Sequence, residues 1–513
     1  MTALWFVGWL LAPTAHGQAL EFLDVSCAPQ ATNVLRADCH VTTDVDTRVR
    51  IVFREAGTKR EHRSPSSGGV ADHDLVIWGL KADRVYEYWA EARVHGSTWY
   101  SSAVSTFATQ ELIGPGSPAP FDNLEIRHTV RPGATPEARL VAIDVECGSD
   151  LAAIVFDARD GEIVWYDTIP NELVTAVHVT GGGHLVLQTD MRNIYEWSWD
   201  GSRIDYDLAP GGECENGDGP CLHHEMLFRR GEIFTLMAYR DDSTYGPAGL
   251  DGCMGKSSYA LDEVWVFDRT WSKVLDTWSL DTDLGYFPDG DLGPNFNPGL
   301  PFPSCSSGYW SGVLGGVSPI DPLHVNAIAL DGGSMYVSIP HFDQVIRFDM
   351  TAGAMEWRLH GSDAAYSDFP PMTVSPSILE NARTSFKGQH HLSSRSDGML
   401  QMFDNNGGSW SRVLAVDVDA AAGTAQIERV WTLADDDGGK YVSPSAQRCN
   451  NRSGGYELTP DVVLATCSAE GSVSELDADD GTTAAPVWFW EASCSNTGRA
   501  AGGIYRGVPV RSL

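Results

Sequence analysis

One phrase is written six times along this chain: an alternating apolar strand, a polar turn, and a second strand with Trp or Tyr near its end. The copies cover residues 152–167, 193–208, 262–280, 343–359, 411–433 and 471–490, and most place an Asp where the first strand meets the turn. Period-two alternation of β-branched and aromatic residues between Gly, Asp and Asn punctuation reads as strand, not helix. A repeat of about 40–50 residues with four such strands cannot bury both its faces alone, so it stacks on its neighbours around a ring. The expected fold is all-β, a six-bladed β-propeller over residues 121–513. The intervals 208–262 and 280–343 are longer than the rest and must hold insertions. No long amphipathic helix interrupts the pattern.

A histidine stands just ahead of a hairpin at four points: His178, His224, His324 and His390. Residues in one phase of a closed ring converge on its axis, so these scattered positions become a single candidate site. Two of them have a histidine neighbour, His223 and His391. Side chains alternate along a strand, so one member of each pair is expected to face the axis. His224 and His390 share the repeat phase and are taken as those members. His178 lacks a comparable neighbourhood and reads as a hydrogen-bonded structural residue.

Residues 19–108 break the pattern. There, Trp78-Gly79-Leu80 followed by Tyr86, Tyr88 and Ala90 resembles a fibronectin type III domain, in which the leucine and tyrosine pin a turn to the core. A small β-sandwich is expected, followed by a linker at 109–120 marked by Gly114-Pro115-Gly116-Ser117-Pro118. The apolar run from Leu4 to Ala12, with Ala15 and Gly17 behind it, looks like a secretory signal at 1–17, although it lacks a leading Lys or Arg. No other stretch is long and apolar enough to span a membrane. Ten cysteines, an even count, suit disulfides in an exported chain, periplasmic or extracellular, with Cys27–Cys39 and Cys214–Cys221 the nearest local pairs. The formal net charge of −34 repels nucleic acid and anionic lipid. An anionic substrate would need a local cationic or donor-rich pocket.

Three hairpin openings are unusual for plain propeller strands: CLHHEM (221–226), PLHVNAIAL (322–330) and GQHHLSSRSDGMLQMFDN (388–405). Their order and spacing, together with the blade count, resemble the bacterial arylsulfotransferase family, the type that uses no adenylyl sulfate donor. The family's His-x-Asn opening stands as His324-Val325-Asn326. Its Gln-His opening stands as Gln389-His390, with a hairpin ending in Phe403-Asp404-Asn405. The resemblance runs over about residues 119–505. It implies that an axial histidine takes a sulfuryl group from a phenolic sulfate ester and hands it to a phenol. His390 matches the nucleophile, His224 and His324 the supporting histidines and Asn326 the donor beside them, and Gln389, next to the nucleophile, is expected to bind substrate with Asn326. No cofactor is implied.

One position departs from the family. Its sulfate-binding arginine follows a Ser-x-Arg pattern, and the matching stretch here is Ser338-Ile339-Pro340-His341. Pro340 replaces the arginine, and His341 is the adjacent candidate for binding the sulfuryl group. Arg347, Arg383, Arg395 and Lys387 are other cations in the chain, none at a motif position. The chemistry suits histidine, because imidazole with its ordinary pKa of about 6.5 is a neutral nucleophile near neutral pH. A second histidine can give the departing phenolate its proton. Asn326 and a protonated His224 are expected to hold the sulfuryl oxygens. Segments 285–322 and 361–388 are expected lids over the propeller mouth. Asp281, Asp283, Asp289 and Asp291 are spaced like a calcium loop but lack the closing glutamate of an EF-hand. Two other classes fit the same fold: a secreted propeller binding a glycan or protein, and a propeller hydrolase or lyase.

Overall fold

The computed structural model describes residues 20–94, 96–112, 121, 124–147, 150–169, 174–189, 193–208, 220–241, 259–283, 321, 323–361, 367–376, 384–405, 411–433, 449, 452–477, 486–494, 499–500 and 504–513. The expected signal at 1–17, most of the linker, Cys214, Arg383, Asp289 and Asp291 lie outside these residues, as does most of the 285–322 lid. Asp281 and Asp283 belong to a short helix, Leu280–Asp283.

Two compact units are present. The first holds residues 20–30, 36–77 and 83–110 as a curled seven-stranded sheet. One 19-residue strand, Ala37–Glu55, serves both halves of the sheet. Its first part pairs with Phe22–Pro29 and Val70–Ile77, and its second with His62–Arg63 and Val85–Arg93. Cys27–Cys39 is a disulfide across the first pairing. Trp78-Gly79-Leu80, read as a turn that pins this unit's own core, belongs instead to the second unit, where Trp78 packs against the cluster around Trp165 and Trp197.

The second unit is a six-bladed β-propeller. Every repeated phrase forms the third and fourth strands of a blade. In blade 3 the four strands are Cys221–Arg229, Glu232–Asp241, Tyr259–Asp268 and Val274–Ser279. Blade 4 runs Ala327–Asp331, Ser334–Ile339, Gln344–Asp349 and Ala354–His360. Blade 5 runs His390–Ser394, Leu400–Asp404, Arg412–Asp419 and Thr424–Thr432. Blade faces stack on each other, so strands such as Leu140–Cys147 and Ser334–Ile339 are buried on both sides and lose the polar half of the alternation. The repeated Asp has a local cause. Asp268 Oδ1 accepts the Ser272 and Lys273 amides, and Asp349 Oδ1 those of Thr351 and Ala352, so the side chain satisfies turn donors the strands cannot.

The two ends of the segment from residue 111 to residue 513 close the ring. Val508–Val510 pairs with Leu140–Cys147 as the inner strand of blade 1, and Leu124–Val130 pairs with Trp488–Cys494 in blade 6. The Cys147–Cys494 disulfide joins the same two blades across a separation of 347 residues. Cys449–Cys467 is a third bond, and Cys221 is also in a disulfide. Among the described residues no helix is long and apolar enough to cross a membrane.

Candidate functional site

Four blades each deliver one side chain at or near the innermost strand: His224 from blade 3, His324 from just before the first strand of blade 4, His390 from blade 5 and Tyr505 from the segment entering blade 1. The rings of His224 and His324 meet edge-on at 4.8 Å, and His324 stacks on His341 at 4.8 Å with 15° between planes. The charge of His324 reaches His390, and His390 in turn acts on His224. The three histidines of the candidate site therefore form one cluster. His178 is not part of it, since its ring stacks on Phe228 at 4.6 Å.

Strand alternation is broken where these residues emerge. His224, His324 and His391 have φ of 52°, 50° and 43°, the left-handed region that non-glycine residues avoid. The pairing register also shifts between His223 and Met226 and between His390 and Leu392. These bulges re-aim side chains. In the first pair, both histidines reach the site: His223 Nδ1 lies 2.8 Å from His224 Nδ1, and its Nε2 lies 3.2 Å from Asp262 Oδ1. The expectation of one axis-facing member fails here because a bulge, not a regular strand, carries them. In the second pair, His391 turns away, accepting the Gly455 amide at 3.1 Å and packing on Tyr456.

Each histidine has a different partner. His390 Nδ1 lies 2.7 Å from Asn405 Oδ1 and 3.0 Å from the Gly388 carbonyl. Asn405 cannot be turned round, because its Nδ2 faces the carbonyls of Cys449 and Arg452, which only accept. Nδ1 of His390 therefore carries the hydrogen, and Nε2 keeps its lone pair. Gly388 has φ of 59°, and its amide donates to Asp343 Oδ1 at 2.8 Å, which fixes the carbonyl on His390. Burial pushes the His390 pKa down to about 3, and Asn405 offsets this only in part. His324 differs: its Nδ1 sits 2.5 Å from Asp321 Oδ2. Burial works against its charged form, yet the Asp321 and Asp262 carboxylates outweigh burial and hold its pKa above the ordinary histidine value. His224 is held well below that value by burial and then by His324 and His223. Of the two rings, His324 and not His224 has surroundings that favour the charged form.

Asn326 is fully buried and donates its Nδ2 to the Gln389 carbonyl at 2.9 Å, so it fixes the strand that carries His390. Gln389 points the other way, its Nε2 donating to the Gln344 carbonyl at 2.6 Å. His341, from the Pro340–Phe342 turn, holds the Asp321 carbonyl through Nδ1 at 3.0 Å. Of the other cations named from sequence, Arg347 is paired with Asp331 and Glu356, Arg395 with Asp397 and Glu457, and Lys387 is exposed.

The sequence reading missed Asp262, Asp321 and Asn405 as working parts, and His223 as a member. Asp321 and Asn405 were within sight: one lies three residues before His324, and the other ends the Phe403-Asp404-Asn405 motif. Asp262 is more than sixty residues from His324 and 39 from His223 in sequence, and only blade packing brings them together.

The profile of the Arylsulfotransferase (ASST) family matches residues 134–454, well over half of the chain and all three site histidines. The chain belongs to this family. No curated protein matches it. Solved structures that align with this arylsulfotransferase-family chain do so loosely. Apo AztD from Citrobacter koseri gives a TM-score of 0.33 at 10% identity, covering 72% of this chain and 97% of AztD. BamB from Moraxella catarrhalis gives 0.30 at 9% identity, covering 74% of this chain and 92% of BamB. At such values neither bears on what the arylsulfotransferase-family site does.

Proposed function

We propose that this protein is an aryl-sulfate sulfotransferase working by two displacements through a sulfated His390. One observation carries the reading: His390 Nδ1 faces only acceptors, Asn405 Oδ1 and the Gly388 carbonyl, which leaves Nε2 as a neutral nucleophile beside a cationic His324. In the first displacement, Nε2 attacks sulfur, the S–N bond forms and the S–O bond to the aryl group breaks. His324, oriented through Nδ1 by Asp321, gives its Nε2 proton to the departing phenolate. The sulfated ring gains positive charge, and its Nδ1 hydrogen remains on the two carbonyl oxygens. In the second displacement, an acceptor phenol gives its proton to the now neutral His324 and attacks sulfur, and His390 is released unchanged. No cofactor enters this route. Donor and acceptor are small phenolic molecules.

We place the protein outside the cytoplasm, in the periplasm or beyond, because disulfides persist in oxidising compartments and at least three are present. The test of the mechanism is intact mass at mildly alkaline pH after mixing with an aryl sulfate, since N-sulfated histidine is acid-labile. The expected result is a gain of one sulfuryl group, discharged by added phenol and absent in His390→Ala. Release of phenol without any adduct, equal in the variant, would refute the sulfohistidine route.

A further inference from the structure

A sulfate ester is anionic, and this chain carries 69 acidic residues against 35 Lys and Arg. A cation that is not already neutralised is the strongest single group for holding sulfuryl oxygens against that background. Arg506 is buried near the cluster, but its Nη1 donates to both oxygens of Glu225 at 2.9 Å. Arg452 is different. It is half-buried, and among the described residues its guanidinium makes no hydrogen bond or ion pair. Its charge reaches His224 and, without an ion pair, the Glu146 and Asp144 carboxylates, and its Cζ lies 5.9 Å from the ring centre of Tyr505, whose hydroxyl donates to the His224 carbonyl at 2.7 Å.

The backbone beneath Arg452 is strained and firmly held. Arg452 and Ser453 have φ of 53° and 80°, two consecutive non-glycine residues in the left-handed region. The turn is pinned from two sides. Ser453 Oγ accepts the Ser468 amide at 3.0 Å, and Asn405 Nδ2 donates to the Arg452 carbonyl at 3.4 Å. The nearby Cys449, whose carbonyl also accepts from Asn405, is fixed by its disulfide to Cys467. Asn405 is the same residue that orients His390 through Oδ1. A single amide thus sets both the nucleophile and the backbone of the arginine. Strain of this kind persists only where the surroundings over-determine it, and it collects at ligand clamps.

We infer that Arg452 is the sulfuryl-binding cation of this protein, doing from blade 6 what no arginine does at Pro340. The inference rests on the sulfotransfer reading for the identity of the anion. A guanidinium fork matches two sulfuryl oxygens, whereas an ammonium supplies only a point charge.

The test is made on the full chain carrying His390→Ala, so that 4-nitrophenyl sulfate binds without turnover. Adding Arg452→Met is expected to weaken ester binding about 10- to 100-fold, while binding of neutral 4-nitrophenol stays within about twofold. Arg452→Lys should recover part of the loss. Unchanged ester binding in Arg452→Met, or no measurable ester binding in the parent, overturns the assignment. A measurement without any variant guards against misfolding: the ester should protect Arg452 of the wild-type protein from phenylglyoxal, mapped by peptide mass, and lack of protection also overturns it. If protection and Arg452-dependent binding appear but wild-type protein forms no histidine adduct, the arginine assignment stands and the sulfotransfer reading falls.

Discussion

Replacing Asp321 by Asn should separate donors by how much they need a proton. Asn keeps an oxygen that can accept the His324 Nδ1 hydrogen, so the ring stays oriented, but the carboxylate charge 2.5 Å from it is gone. Asp321 is the larger of the two carboxylate influences that hold His324 cationic against its burial. Losing a buried opposite charge at that distance lowers a histidine pKa by about 1–3 units, or about 1.4–4 kcal/mol. At pH 7.5 the proton donor then becomes scarce. For phenyl sulfate, whose phenolate is as basic as tyrosinate with a pKa of about 10, the rate should fall about 10- to 1000-fold. For 4-nitrophenyl sulfate, whose phenolate leaves without help, it should fall no more than about threefold. The phenyl sulfate rate should also lose activity at lower pH than wild type as pH rises, because the acid form of His324 is lost as pH passes its folded pKa. The assay is phenol release against pH with both donors at saturating acceptor. An equal loss for the two donors, or an alkaline limb that does not move, would refute the assignment of His324 as acid.

Two further predictions concern stability. His390 titrates near 3 in the fold against 6.5 when exposed, so between these values the unfolded chain binds the extra proton. Its contribution is complete above about pH 6.5 and falls as the pH drops toward 3, a loss of about 3–5 kcal/mol. Asp144, raised by burial to about 7, acts in the opposite sense and loses its contribution as pH rises through that value. The urea midpoint of wild type relative to His390→Asn should therefore fall from pH 7 to pH 4.5, since Asp144 is common to both proteins and cancels; a difference that stays constant with pH would contradict it. Cys147→Ser with Cys494→Ser should lower stability by about 2–5 kcal/mol, read from denaturant midpoints, since the bond closes nearly the whole propeller. A loss confined to a local transition, with the ring's main transition unmoved, would show that strand exchange alone closes the ring.

Much of this protein is decided locally and was legible without a structure. The six strand–turn–strand phrases are the outer halves of the six blades because alternation, β-branched residues and an Asp that caps its own turn act within about fifteen residues. Cys27–Cys39 follows from one hairpin register. The three histidines could be placed together because a closed ring brings one phase of every repeat to its axis. What sequence could not decide is which atoms face each other there. Alternation assigns one side chain per pair, but bulges at His224 and His391 cancel it, and only the folded backbone shows that His223 stays while His391 leaves. Asp321 and Asn405 lie close to the motifs they serve, but Asp262, whose charge also acts on His324, comes from the third strand of blade 3. Arg452 comes from yet another blade, in a turn that no motif marks. Those distances in sequence carry no local signal. They are set by how the blades stack, and that is where a neutral nucleophile and a charged acid become distinct.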